Sequence, residues 1–68
     1  MGNLAKRLAK KLRELRGEQT LYAFARKLGI STSSLQRLEQ AEQNVSLKTL
    51  ERICQRLKID ITELFAHE

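Results

Sequence analysis

The chain has 68 residues, thirteen Lys or Arg against eight Asp or Glu, a formal charge of +5, no proline and a single cysteine. That length allows one domain, 1–68, for which folding hides only about 60% of the unfolded chain's surface, so apolar packing or a partner subunit must supply the stability. A lone Cys54 excludes an internal disulfide, no Cys/His cluster offers a metal site, and no apolar run is long enough for a membrane span or a signal peptide. The expectation is a soluble, cytoplasmic protein without metal or cofactor whose charge favours a polyanionic partner.

The first predicted helix runs from Asn3 to Arg16, where Leu4, Leu8, Leu12 and Leu15 recur at steps of four, four and three beside Ala5 and Ala9. Its other face is basic: Lys6, Arg7, Lys10, Lys11, Arg13 and Arg16 stand against one acid, Glu14. Phosphate contact, a membrane-surface role and plain solvation all fit that face, although the stripe lacks the Trp or Phe of an interfacial helix. Gly17-Glu18-Gln19-Thr20 then connects, with Gly17 a helix stop and Thr20 an N-cap.

Next come two short helices joined by a tight turn. Leu21, Phe24, Ala25 and Leu28 fall at i, i+3, i+4 and i+7. The stripe ends at Gly29, which takes a left-handed conformation at little cost, and Ile30 plugs the corner. Ser31 caps a second helix, about 32–40, whose Leu35 and Leu38 point inward. Ala25 sits where two helices crossing at roughly 90–120° must approach closely, so a bulky residue there is poorly tolerated. At about 100° per residue, Ser33, Gln36, Arg37 and Gln40 point outward, with Thr32 at the exposed start. This polar, nearly uncharged face suits hydrogen bonding to base edges; the bland alternative is a solvated surface. Glu39 lies between the two arcs, close enough to the core to want a cation.

After the loop 41–45, Ser46 caps a fourth helix with the stripe Leu47, Leu50, Ile53, Cys54 and Leu57. Cys54 reads as a core residue, a reactive thiol being the lesser alternative. Lys58-Ile59-Asp60 breaks the period, and Asp60-Ile61-Thr62-Glu63 has capping-box spacing ahead of Leu64 and Phe65. His67, near the end, reads as a surface residue. No alternating β-branched run occurs, so the class is all-α.

Phe24, Ala25, Leu28, Gly29, Ile30, Leu35 and Leu38 together resemble the DNA-binding domain of the Cro and phage-repressor helix-turn-helix family, also called XRE. The likeness extends to Ser46-Leu47-Lys48-Thr49-Leu50 and to 60–65, which look like that family's fourth and fifth helices. The resemblance implies a compact five-helix repressor-like domain with a central helix-turn-helix, whose second motif helix enters the major groove of double-stranded DNA. It implies base contacts from Thr32, Ser33, Gln36 and Arg37, and phosphate contacts from Thr20, Gln40, Asn44, Ser46 and Lys48. It also implies a homodimer, for which the apolar Ile61, Leu64 and Phe65 form the expected contact, the alternative being that they only cap the core. Family members often pair a basic residue with the glutamate at position 39, and Lys11 is the expected partner. The chain departs from the family at Leu21, where a phosphate-binding glutamine is common, and at Ala41 and Val45, where Gly and Pro are frequent.

The leading function is therefore sequence-specific DNA binding by a small transcriptional repressor. A protein-interaction module on the same fold, an adaptor or antitoxin-like partner with secondary DNA binding, is the alternative. A nonspecific RNA or membrane binder using the basic first helix is a third. No nucleophile–base pair, metal set or phosphate loop points to an enzyme.

Overall fold

The computed structural model describes residues 3–42 and 45–65. Five helices follow one another: α1 (Asn3–Arg16), α2 (Leu21–Leu28), α3 (Thr32–Glu39), α4 (Leu47–Leu57) and α5 (Ile61–Leu64). The all-α, five-helix expectation holds, and nearly every boundary falls where a cap was read.

The N-caps are local chemistry. Thr20, Ser31 and Ser46 each take extended backbone and accept an amide three residues on: Ala23 at 3.0 Å, Ser34 at 3.0 Å and Thr49 at 3.1 Å. Asp60 caps α5 differently from the expected capping box. Its carboxylate accepts from the Ile61 amide and the Thr62 hydroxyl, while the Glu63 amide bonds the Asp60 carbonyl.

The C-terminal ends of α2, α3 and α4 share one solution. In α2 the amides of Gly29 and Ile30 return to the carbonyls of Arg26 and Ala25. In α3 those of Ala41 and Glu42 return to Leu38 and Arg37, and in α4 those of Lys58 and Ile59 return to Gln55 and Cys54. This double closure is the Schellman motif, which needs a left-handed residue at the turn. Gly29 (φ 75°), Ala41 (φ 63°) and Lys58 (φ 58°) supply it.

The core gathers Leu8 and Leu12 of α1, Phe24, Ala25 and Leu28 of α2, Leu35 and Leu38 of α3, Leu50 and Ile53 of α4, and Leu64 of α5. Ile30, Leu57 and Cys54 pack against its edge half-buried. α1 lies on α3 and α5, α2 on α3 and α4, and α4 on α5.

Two leucine expectations fail. In α1 the buried arc holds Leu8, Ala9 and Leu12, whereas Leu4 is 58% exposed and Leu15 sits at the surface. Leu8, Ala9, Leu12 and Arg16 span about 100° of the helix, and Leu4, Leu15 and Lys11 lie about 20–60° beyond its edge. Leu47, the first residue of α4, is 74% exposed because the stripe begins to face the core only a turn later, at Leu50.

Candidate nucleic-acid interface

α3 is anchored by what it hides. Leu35 and Leu38 are buried on its inner side, which turns Ser33, Gln36 and Arg37 to solvent and leaves Thr32 half-buried at the first turn. None of these four makes a side-chain hydrogen bond to another of the described residues, and Ser33, Gln36 and Arg37 face solvent.

The residues expected at phosphates are distributed around that helix. Thr20 and Ser46 are exposed N-caps, Gln40 follows the last turn of α3, and Lys48 projects from the first turn of α4. Asn44 lies outside the described residues. A shallow groove runs between the turn and the start of α4, lined by Ile30, Ser31, Ser34, Ser46, Lys48 and Thr49. It brings two helix N-termini, with their outward amides, to one place.

Behind the turn stand two arginines that the pattern of the sequence did not single out. Arg52 Nη1 donates to the Gly29 carbonyl at 3.2 Å. The Arg56 guanidinium lies against Gly29 so closely that a Cβ there would sit 3.0 Å from Nη2. Both cations meet the negative end of α2. A spacing of four residues on one helix was the available signal, but which turn they reach is tertiary information. Tyr22 was also passed over. It is exposed on α2, with the Arg26 guanidinium 5.8 Å from its ring centroid and Arg26 Nη1 donating to its hydroxyl at 3.4 Å.

At the other end of α3, Glu39 is the one buried charged or polar residue in the described core. Its partner is Arg16, not Lys11. Arg16 Nε donates to Oε2 at 2.8 Å and Nη2 to Oε1 at 3.0 Å, a two-bond fork, while Nη1 reaches the Gln19 carbonyl at 3.0 Å. The reason is angular: Arg16 continues the inward arc of α1, and Lys11 lies outside it. Arg13 Nη1 adds a 2.6 Å bond to the Glu39 main-chain carbonyl. Two of the six cations counted on the basic face of α1 are thus turned toward α3.

The expected subunit contact divides. Ile61 is 41% exposed and Phe65 half-buried, but Leu64 is fully enclosed in the core and presents no surface to a second chain. Leu64 is the residue that α5 commits to the core. Cys54 lies beside them in a shallow groove with Glu51, Ile59 and Ile61. Burial first, and the charge of Asp60 second, raise its thiol pKa, so it is not an activated nucleophile. No cluster of three or more potential metal ligands occurs among the described residues.

A model of the Cro/C1-type HTH DNA-binding domain matches residues 5–68. The chain belongs to that family. It is accordingly a DNA-binding helix-turn-helix domain of the type that serves transcription regulation, and in a Cro/C1-type domain α2–turn–α3 is the motif. No curated protein and no solved structure matches it. No helix of the described residues is long and apolar enough to cross a membrane.

Proposed function

We propose that this Cro/C1-type domain binds duplex DNA sequence-specifically, inserting α3 into the major groove as a homodimer and acting in the cytoplasm as a small transcriptional repressor. The observation that carries this reading is the outer face of α3, where Ser33, Gln36 and Arg37 stand exposed on a helix fixed from behind by Leu35 and Leu38. Arg37 pairs with guanine O6 and N7, and Gln36 with adenine N6 and N7, each good bidentate pair giving about 1–3 kcal/mol of discrimination. The short Thr32 and Ser33 read through close approach or bridging water. Thr20, Gln40, Ser46 and Lys48 hold phosphates on either side.

The dimensions of the fold are compatible with one copy per half-site, which supports the homodimer. The described fold measures 29 × 23 × 22 Å between its Cα extremes, less than the roughly 34–36 Å between successive half-sites on one side of the duplex. Ile61 and Phe65 supply apolar surface for the contact.

Selection from a randomised duplex pool at near-physiological salt, wild type beside Arg37→Ala, tests the reading. The expected result is an enriched two-fold-symmetric site whose preference relaxes at one base position in the variant. Binding without enrichment that merely falls steeply with salt would leave only the phosphate term and remove the specific-repressor reading. One observation favours a second reading, a protein-interaction module. Leu21 packs half-buried against the core, so the position that commonly offers a phosphate-binding amide offers none here. Charge reversal on the outer face of α3 would leave partner binding intact in that case.

A further inference from the structure

Arg13 stands exposed on α1 among lysines, where composition alone makes it one more phosphate contact. Its guanidinium is engaged elsewhere, on the main-chain carbonyl of Glu39 at 2.6 Å. That carbonyl belongs to the last residue of α3, where the helix has run out of amides to satisfy it and where the macrodipole is negative. A charged donor is therefore well matched to the site.

Glu39 is then held twice, its carboxylate by Arg16 and its backbone by Arg13. The two grips do different things. A carboxylate sits at the end of a rotatable side chain, so the Arg16 fork joins α1 to α3 while leaving the helix some freedom to slide or roll. A bond to the backbone restricts that freedom further, because its acceptor moves rigidly with the helix axis and only the Arg13 side chain can flex. Gln36 and Arg37 lie within one turn of that carbonyl and inherit whatever position it takes.

We propose that Arg13 is a positioning residue for sequence reading by α3 and not a phosphate contact. The proposal rests on the reading of α3 given above.

Wild type, R13A and R13K are titrated onto the duplex selected from the pool and onto a scrambled duplex, each across a salt series. Folding is checked by circular dichroism, and the Glu39 carbonyl ¹³C shift is recorded without DNA. In R13A the discrimination between duplexes narrows about tenfold, as for loss of a charge-assisted hydrogen bond. The slope of log K against log salt keeps its wild-type value and the carbonyl shift moves. R13K, which still offers that carbonyl a donor, restores most of the discrimination. R13M, which keeps the aliphatic stem, replaces R13A if the alanine variant does not fold. A slope shallower by about 0.9 with discrimination intact makes Arg13 a phosphate contact and overturns the proposal. Equal weakening on both duplexes marks a merely structural role and overturns it too. If the wild type itself prefers neither duplex, the reading of α3 fails and this proposal fails with it, while the carbonyl shift still reports whether the bond exists.

Discussion

Gly29 meets two demands at once. Its φ of 75° belongs to the left-handed region, and the Arg56 guanidinium occupies the space a side chain would enter. Arg56 is exposed and can move aside, so the backbone requirement dominates. Gly29→Ala is expected to cost about 1–2 kcal/mol, and Gly29→Asn less, since Asn tolerates this conformation. Urea titrations report both as a lower midpoint at unchanged slope. Arg16 is a second pivotal residue: Arg16→Ala leaves the Glu39 carboxylate enclosed without its fork, at a cost of about 2–3 kcal/mol by the same titration. Cys54 gives a pH-dependent check. Its raised pKa keeps the thiol protonated to higher pH than in the unfolded chain, so maleimide labelling of the native protein begins at higher pH than labelling in urea. Residue identities at turns and caps were legible in the sequence because Gly29, Thr20, Ser31 and Ser46 act on amides and angles a few positions away. The partner of Glu39 was not, because choosing among Lys11, Arg13 and Arg16 requires knowing which way α1 is rolled against α3.

At the scale of elements, periodicity gives a helix its face only to within a few tens of degrees, and α1 shows what that tolerance does. Four leucines traced a plausible stripe, yet the arc that packs includes Ala9 and Arg16 and leaves Leu4 and Leu15 toward water. The two leucine classes should separate in stability: Leu12→Ala costs about 3 kcal/mol, whereas Leu4→Ala stays within about 0.5 kcal/mol. Thermal or urea unfolding of the two single variants decides it, and similar losses would mean that Leu4 is packed. Leu47 follows the same logic at the start of α4. In α2 and α3 the stripes were read correctly because both helices are short, capped at each end and covered on one side only. The outward face of α3 was therefore visible beforehand, but the two arginines turned toward its far end were not, since cations on α1 looked alike in one dimension.

For the whole molecule, the division within α5 decides what a second subunit could touch in the homodimer proposed above. Leu64 closes the core, so Leu64→Ala is a stability variant, while Ile61 reaches solvent. Ile61→Asp is expected to leave the fold intact and to weaken binding to a two-half-site duplex at least about tenfold, as expected when two linked binding events become separate ones. Its affinity for a single half-site should stay at the wild-type value. Sedimentation with and without DNA accompanies the titration; undiminished binding to the two-half-site duplex would place the dimer contact elsewhere, and equal losses on both duplexes would mean that Ile61 supports the fold or the DNA contact itself.

Three helices end in the same closure, yet only α2 places glycine at the left-handed residue; α3 uses Ala41 and α4 uses Lys58. Each non-glycine residue there gives up about 1–2 kcal/mol, of which glycine would return roughly 0.5–1 after its own chain entropy. Ala41→Gly and Lys58→Gly should therefore each raise the unfolding midpoint. For a domain of 68 residues such increments are a large share of the folding free energy, and in a cell they translate into several-fold differences in protein abundance through degradation of the unfolded fraction. In the regulatory role proposed above, the two backbone angles at the ends of α3 and α4 would thus help to set dose: how many copies survive to occupy a site at a given rate of synthesis.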